Sequence, residues 1–327
     1  MAKKFNTKIT KMLNIDYPIL CGGMQWLSRA DFVAEVCNAG GLGFITAETF
    51  ETPEDLRQEI RKMKGLTDNP FGVNISMVPE IGNIRERTLA FLDVVCEEGV
   101  TAVETSGRSP DLLMPKLKEA GIKVIHKLTS VRHALSAQRV GVDAVALLGY
   151  GSGGHIGLHN VVSFVLIPLA AANLEIPVIA AGAISNGRGL LGALAMGAEA
   201  ILLGTAFFVT KECPVPPAIK EKFIQTREDE TTLMMSSIHN PMRCLKNKLA
   251  EEVQAMEAKG ATLEQILAMI PGRNLKKAFE DGDIEISMLP SGQGVGLINE
   301  IKSVRELMEG IMSEADELLE RLNKMAS

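Results

Sequence analysis

The chain has 327 residues, of which 46% are hydrophobic and 23% charged, as expected for a folded domain with room for a smaller appended one. A net charge of −6 argues against nucleic acid as a partner. Five cysteines without CxxC spacing argue against a disulfide framework and favour a reducing, cytoplasmic setting. We find no signal peptide and no apolar run long enough to span a membrane, and therefore expect no membrane partner.

Eight short apolar runs alternate with amphipathic stretches over the first two-thirds of the chain. Because the runs lack strict alternation of polar and apolar residues, they predict parallel strands buried on both faces. Eight β–α units in about 200 residues predict an α/β protein built on a closed (β/α)₈ TIM barrel. The runs are residues 18–20, 42–46, 71–75, 102–105, 123–128, 144–148, 177–181 and 200–204.

Capping residues delimit the helices between these strands. Thr52 before Pro53 is a helix start, with the proline at the first helical position. Glycines such as Gly121, Gly141 and Gly197 follow the ends of others. The predicted helices are residues 29–38, 53–64, 111–120, 130–140 and 186–196.

The alternation stops after Phe208, at a proline-rich segment, residues 211–217. We expect residues 214–299 to form a smaller, mainly helical cap or substrate domain. The barrel would comprise residues 1–213 and 300–327, with the cap inserted before its last helix. The apolar side of that helix, residues 300–324, could face the barrel or a second subunit, so a homo-oligomer is possible.

Two glycine-containing loops follow the seventh and eighth predicted strands. They are Gly182-Ala183 and Gly204-Thr205. Their backbone N–H groups, together with the following helix N-termini, could hold a phosphate, and these loops form the usual phosphate site of such barrels. The alternative is that the glycines only make tight turns.

The loop after the sixth strand carries His155 among glycines, including Gly153 and Gly154. Glycines let the backbone approach a ligand, and imidazole can act as an acid or a base near neutral pH. Lys127 lies within a buried strand, where a cation needs an anion or a cofactor beside it. Alternatively, Lys127 is solvated at the barrel mouth.

Other polar residues carry weaker signals. The histidines form no set with metal-ligand spacing, so we expect no metal. No GxGxxG fingerprint follows a strand, so a nicotinamide would not be bound in a Rossmann manner. Arg243, Lys246 and Lys248 form a basic cluster, which we interpret as a solvated helix face rather than a site for an anionic substrate.

Taken in order, several motifs resemble the nitronate monooxygenase family, formerly called 2-nitropropane dioxygenases. They are residues 22–26, 38–43, 70–74, 153–157 and 204–205. Residues 22–26 and 124–135 look like the NADH:quinone reductase branch of that family. Residues 153–157, 239–243, 246–248 and 291–293 look like the FMN-dependent enoyl-[acyl carrier protein] reductases.

The resemblance implies FMN, bound without a covalent link at the barrel mouth, and His155 as the catalytic residue. Lys127 would then place its charge near the pyrimidine edge of the reduced flavin. Two departures are visible: Ala183 replaces a usual glycine, and Ile156 replaces the proline of the quinone-reductase loop. The expected cofactor-binding residues are Gly22, Gly23, Met24, Gln25, Asn74, Lys127, Gly153, Gly154, Gly182, Ala183, Gly204 and Thr205.

From the sequence, the leading hypothesis is a nitronate monooxygenase, in which His155 deprotonates a nitroalkane or orients its anion and FMN reacts with O₂. The alternative is an NAD(P)H-dependent reductase of quinones or enoyl thioesters. A third reading is a flavin-binding protein without catalysis. Each of these would take a small-molecule ligand, and the fold alone does not choose between them.

Overall fold

The computed structural model describes residues 5–77 and 84–326, and a closed barrel of eight parallel strands lies at its centre. The barrel order is β1-β2-β3-β4-β5-β6-β8-β9, and β9 pairs back onto β1. This confirms the predicted TIM barrel. In chain order the strands are β1 (Ile19–Cys21), β2 (Leu42–Thr46), β3 (Gly72–Met77), β4 (Ala102–Gly107), β5 (Lys123–Leu128), β6 (Ala144–Leu148), β7 (Gly154–His155), β8 (Val178–Ala181), β9 (Ala200–Leu203), β10 (Thr231–Met234) and β11 (Met242–Leu245).

The α-helices are α1 (Lys8–Leu13), α2 (Ala30–Asn38), α3 (Pro53–Leu66), α4 (Ile84–Glu98), α5 (Met114–Glu119), α6 (Val131–Val140), α7 (Ser163–Asn173), α8 (Gly187–Ala195), α9 (Thr205–Phe208), α10 (Pro217–Ile224), α11 (Lys248–Ala258), α12 (Leu263–Met269), α13 (Gly272–Asp281) and α14 (Val304–Ala326). Short 3₁₀ turns cover Ala47–Thr49, Pro110–Leu112 and Gln293–Leu297. The helix predicted over residues 111–120 is thus split, because Pro115 favours the first turn of a helix over its interior.

Aliphatic side chains fill the barrel interior, as expected from a chain with 4% aromatic residues. Ile9 and Leu13 of α1 join this cluster, so the N-terminal helix closes one end of the barrel. The other end, where the strands have their carboxyl ends, is left for ligands. The interior residues are Leu20, Leu42, Phe44, Ala102, Ile125, Ala144, Ala146, Ile179, Ala181, Ala200 and Leu202.

The long terminal helix α14 packs against α8 and α2 and so completes the helical ring around the barrel. Its contact with α8 is close at Gly187, where a Cβ would stand 2.5 Å from the carbonyl oxygen of Ile311. The backbone N–H of Gly187 also donates to Glu314 Oε2 at 2.7 Å. The expectation that the last helix closes the barrel is confirmed; the terminal residues 1–4 and 327 and residues 78–83 lie outside the described ones.

Between β9 and α14 the chain forms helices α10–α13 and a small antiparallel sheet of order β10-β11-β7. The sequence analysis predicted a mainly helical cap here and identified no strand in it. The sheet escaped it because β10 and β11 have four residues each and complete their pairing with β7, far back in the chain. No helix among the described residues is long and apolar enough to cross a membrane.

Two glycines of α8 make a matched test of the α8–α14 contact. Gly187→Ala would force its methyl group into the α14 backbone and should lower the free energy of unfolding by about 1–3 kcal/mol. Gly192→Ala meets nothing within 4 Å and should raise it by up to about 1 kcal/mol through helix propensity. Urea unfolding of both variants measures the difference; equal effects would contradict this packing.

Candidate active site

Polar side chains replace the aliphatic interior at the carboxyl ends of four neighbouring strands. Thr46, Asn74, Glu104 and Lys127 follow the interior positions of β2, β3, β4 and β5 by two residues, so they point into the same barrel. Strand register pairs Thr46 with Asn74 and Asn74 with Glu104. We call these four residues the mouth layer.

Glu104 is the hub of the mouth layer. Its side chain has no solvent exposure, and its Oε2 accepts hydrogen bonds from Asn74 Nδ2 at 2.5 Å, Lys127 Nζ at 3.1 Å and the Gly23 N–H at 3.3 Å. Three residues predicted to bind the cofactor are therefore joined through one carboxylate. The other oxygen, Oε1, is buried and has no hydrogen-bond partner among the described residues.

Gly23 is required by the closeness of its neighbours. A Cβ at this position would stand 2.5 Å from Asn74 Cβ and 2.9 Å from Thr46 Oγ1. The preceding Gly22 extends β1, with its N–H donating to Leu203 O at 3.1 Å. The turn after β1 thus lies directly on the mouth layer, and only a residue without a side chain fits there.

The two residues after this turn are less integrated. Met24 is half-buried, and its backbone N–H donates to Ser28 Oγ at 2.9 Å. Gln25 is exposed and is not brought into the Glu104 cluster. The structure therefore joins Gly23, Asn74 and Lys127 through Glu104, whereas Met24 and Gln25 lie along the rim.

The loops after β6, β8 and β9 pack against residues 291–294, a segment that lies much later in the sequence. The Gly292 N–H donates to Thr205 Oγ1 at 3.1 Å. A Cβ on Gly153 would stand 2.7 Å from the Gly292 nitrogen, and one on Gly182 would stand 2.6 Å from Ser152 Oγ. The predicted phosphate loops are thus neighbours, and the cap segment packs against them.

Ala183 has the left-handed conformation that glycine would adopt more easily, with φ 57°, and follows Gly182 with φ 99°. Both residues thus leave the extended conformation of β8, and the chain turns here. Beside this turn, Ser185 Oγ donates to Gly294 O at 3.0 Å. This hydrogen bond joins the loop after β8 to the segment 291–294.

His155 lies on β7, paired with Met242 of β11, and its side chain is exposed at the barrel mouth. Although the ring reaches solvent, the protein packed around it desolvates the imidazole and lowers its pKa below the ordinary 6.5. A hydrogen bond with the Asn240 side chain opposes this shift, and the charge of Lys127 reinforces it. At neutral pH the imidazole is neutral and can accept a proton.

Arg243 corrects an expectation from the sequence. It lies on strand β11 and is 4% exposed, so it is not part of a solvated helix face. Its Nε donates to Tyr150 O at 3.2 Å, and its guanidinium lies 4.7 Å from the centre of the Tyr150 ring. Arg243 therefore anchors the loop that leads to His155; Lys246 and Lys248 are exposed.

Sequence reasoning placed Glu104 at the barrel mouth but gave it no role, and it did not identify Thr46 as part of the site. The available signal was the two-residue spacing along each strand, which places Glu104 above Ala102 just as Lys127 stands above Ile125. A lysine and a glutamate on adjacent strands predict an ion pair once the register is known. In the part of the chain described, no group of three His, Cys, Asp or Glu side chains could hold a metal ion.

The chain is similar to known proteins over most of its length. The family model described as nitronate monooxygenase matches residues 6–314. The chain belongs to the nitronate monooxygenase family. A Mycobacterium tuberculosis family relative, (3aS,4S,5R,7aS)-5-hydroxy-7a-methyl-1-oxo-octahydro-1H-indene-4-carboxyl-CoA dehydrogenase, is 31% identical over 95% of this chain and 96% of its own length. A Staphylococcus saprophyticus protein named probable nitronate monooxygenase is 30% identical, over 97% of this chain and 100% of its own.

A solved structure, FabK from Thermotoga maritima, is 38% identical, with a TM-score of 0.91 over 98% of this chain and 99% of that one. Members of the nitronate monooxygenase family are oxidoreductases, and this chain is a flavin oxidoreductase of that family.

The site fits FMN, the cofactor generally used by this family, on the chain's own features. A Cβ at Gly154 or Gly204 would meet nothing within 4 Å, so open space adjoins both glycines. Ser152 Oγ and Ser291 Oγ, beside the phosphate loops, are buried without partners among the described residues. The mouth layer adds a cation, Lys127, that is 20% exposed. Space, unused hydrogen-bonding groups and positive charge suit a planar ring with an anionic tail.

Gly23→Ala should weaken FMN binding about tenfold or more, because the methyl group displaces Asn74 and pulls the turn away from Glu104. The measurement is quenching of FMN fluorescence during titration into the apoprotein. Gly65→Ala, on α3 with nothing within 4 Å, is the control and should bind FMN like the wild type. Equal affinities for both variants would show that the turn does not shape the cofactor site.

Proposed function

We propose that this protein is an FMN- and NAD(P)H-dependent oxidoreductase that acts on the carbon chain of an acyl thioester. The observation that carries the proposal is His155, a neutral imidazole exposed at the barrel mouth and influenced electrostatically by Lys127. Such a group can move a proton at the carbon next to a carbonyl while a flavin exchanges hydride with the neighbouring carbon.

The cofactor would be held by the residues that the structure brings together. Gly23, Asn74 and Lys127 would contact the ring system, and the backbone at Gly182, Ala183, Gly204 and Thr205 would hold the phosphate. Bound FMN would supply hydride transfer between a nicotinamide and the substrate. The assignment of these contacts remains a prediction.

The chain's own chemistry lies in orientation and proton transfer. Pairing of β7 with β11 holds the backbone of His155, and Arg243 fixes Tyr150 in the preceding loop. The lowered pKa keeps the imidazole available as a base at Nδ1 or Nε2. When the substrate takes a hydride at the β-carbon, its α-carbon also takes one proton, which His155 can give only as imidazolium, after it has taken that proton from solvent. In the reverse direction the neutral imidazole would remove the proton from the α-carbon.

Relatives favour the thioester over other substrates. FabK is 38% identical to this chain, and the sequence resembles enoyl-[acyl carrier protein] reductases at residues 153–157, 239–243 and 291–293. The Mycobacterium tuberculosis relative is named for a carboxyl-CoA substrate. On these similarities we rank the thioester ahead of the nitronate, which led on sequence alone. Arg243 donates from Nε to Tyr150 O and from Nη1 to Thr231 Oγ1, whereas its buried Nη2 has no partner among the described residues, so its contacts do not rank the two substrates.

Nitronate oxidation is the second candidate. It is favoured by the description of the matching family model and by the Staphylococcus saprophyticus relative. The same neutral His155 could remove the proton next to a nitro group. Both candidates therefore assign one role to the histidine and differ in what stands beside the reacting carbon.

Anaerobic spectrophotometry of the FMN-loaded protein separates the two. We expect NADH or NADPH to bleach the flavin and an enoyl-CoA or enoyl-[acyl carrier protein] to restore its absorbance. In air, a nitroalkane alone should then cause little oxygen uptake. No bleaching by either nicotinamide, together with rapid oxygen uptake on nitronate, would reject the thioester proposal in favour of the second candidate.

His155→Gln should lower kcat/KM about 100-fold or more, since it removes the proton-transferring group. In the direction that removes a proton from carbon, wild-type kcat/KM should rise with pH through a pKa below 6.5 and then level off, because the lowered pKa leaves the base free above it. His155→Gln should lack this rise of kcat/KM with pH. His159→Gln, at an exposed position four residues away, is the control. The same rise of kcat/KM with pH in His155→Gln as in the wild type would assign the proton transfer to another group.

A further inference from the structure

We propose that Glu104 is a positioning residue that sets the reduction potential of the bound flavin through Lys127. The flavin would meet the Glu104–Lys127 ion pair, with the carboxylate subtracting from the charge of the lysine. This inference rests on the FMN site proposed above and extends it, because it assigns to a residue beneath the cofactor a role in the energy of electron transfer.

Lys127 and Glu104 lie at different depths below the barrel mouth. Lys127 Nζ lies 3.1 Å from Glu104 Oε2, and the lysine side chain is 20% exposed whereas the carboxylate is fully buried. The strand register also sets Glu104 opposite Ile125, two residues before Lys127 on the same strand. The cation therefore lies on the mouth side of the carboxylate, and a ligand above the mouth layer meets the cation first.

The position of Lys127 above Glu104 would affect the stability of the reduced flavin. A single positive charge near the pyrimidine edge favours the reduced flavin, which is the more negative form. The field of an ion pair falls off faster with distance than that of one charge, because the two contributions partly cancel. With Glu104 in place, Lys127 would stabilise the reduced flavin less than a lone lysine would.

A purely structural role would not require the charge. Oε2 accepts hydrogen bonds from Asn74, Lys127 and Gly23, and the amide oxygen of a glutamine has lone pairs for two of these three donors. A buried carboxylate is costly to desolvate, and its second oxygen has no partner in the described residues. The negative charge itself is the feature that hydrogen bonding leaves unexplained.

Glu104→Gln and Lys127→Met test the pair from both sides. The measurements are the midpoint potential of the FMN-loaded protein, from anaerobic titration with redox dyes, and the Kd for FMN. Glu104→Gln should shift the potential to a more positive value, because it leaves the lysine uncompensated. Lys127→Met should shift it to a more negative value and weaken FMN binding about tenfold or more, because a buried carboxylate loses its counter-charge.

The double variant completes the cycle. Adding Glu104→Gln to Lys127→Met should reverse most of the negative shift, a comparison that holds even if the single Glu104→Gln variant binds FMN poorly. Glu98→Gln is the control: this carboxylate also forms ion pairs, with Arg57, Arg61 and Lys64, but at the end of α4, where the chain enters the opposite end of the barrel. It should leave the potential unchanged.

An unchanged or more negative potential in Glu104→Gln, with FMN bound, would overturn the inference and leave the proposed function intact. The same holds if the double variant keeps the full shift of Lys127→Met. A wild-type protein that binds no FMN would overturn both. Opposite shifts in the two single variants, which a merely structural contact would not produce, would support the inference.

Discussion

A fully buried carboxylate constrains the whole barrel mouth. Glu104 loses its hydration inside the barrel, and the cost is offset only because Lys127, Asn74 and the Gly23 N–H converge on one oxygen. This convergence fixes the direction of each group and brings the turn after β1 against β3. The site is therefore organised from beneath, by a residue that has no exposed atom to offer a ligand.

The cap, residues 214–299, contributes to the geometry of the site. The segment 291–294 packs against the phosphate loops, with Gly292 donating to Thr205, while β11 pairs with the strand that carries His155. Arg243, on β11, donates a hydrogen bond to the carbonyl oxygen of Tyr150 in the loop before His155. Chain segments more than 80 residues apart are thus needed together to set the histidine relative to the mouth layer.

The barrel could be predicted because buried parallel strands are continuous apolar runs, and β2, β5 and β6 begin and end at the predicted residues. The cap sheet could not, since four-residue strands carry little periodicity and their pairing is long-range. Lys127 was a candidate because it lies in a buried strand, and Asn74 came from a family resemblance. In the structure both side chains donate to Glu104. Glu104 itself needed the register between strands, which one sequence does not reveal.

A crystal structure of the protein with FMN tests the central claim most directly, namely that the mouth layer and the loops after β8 and β9 form one cofactor site. We predict the ring system over Asn74 and Lys127, with His155 facing it, and the phosphate at the backbone of Ala183 and Thr205. FMN bound elsewhere, or a ring that leaves Lys127 without contact, would contradict the account.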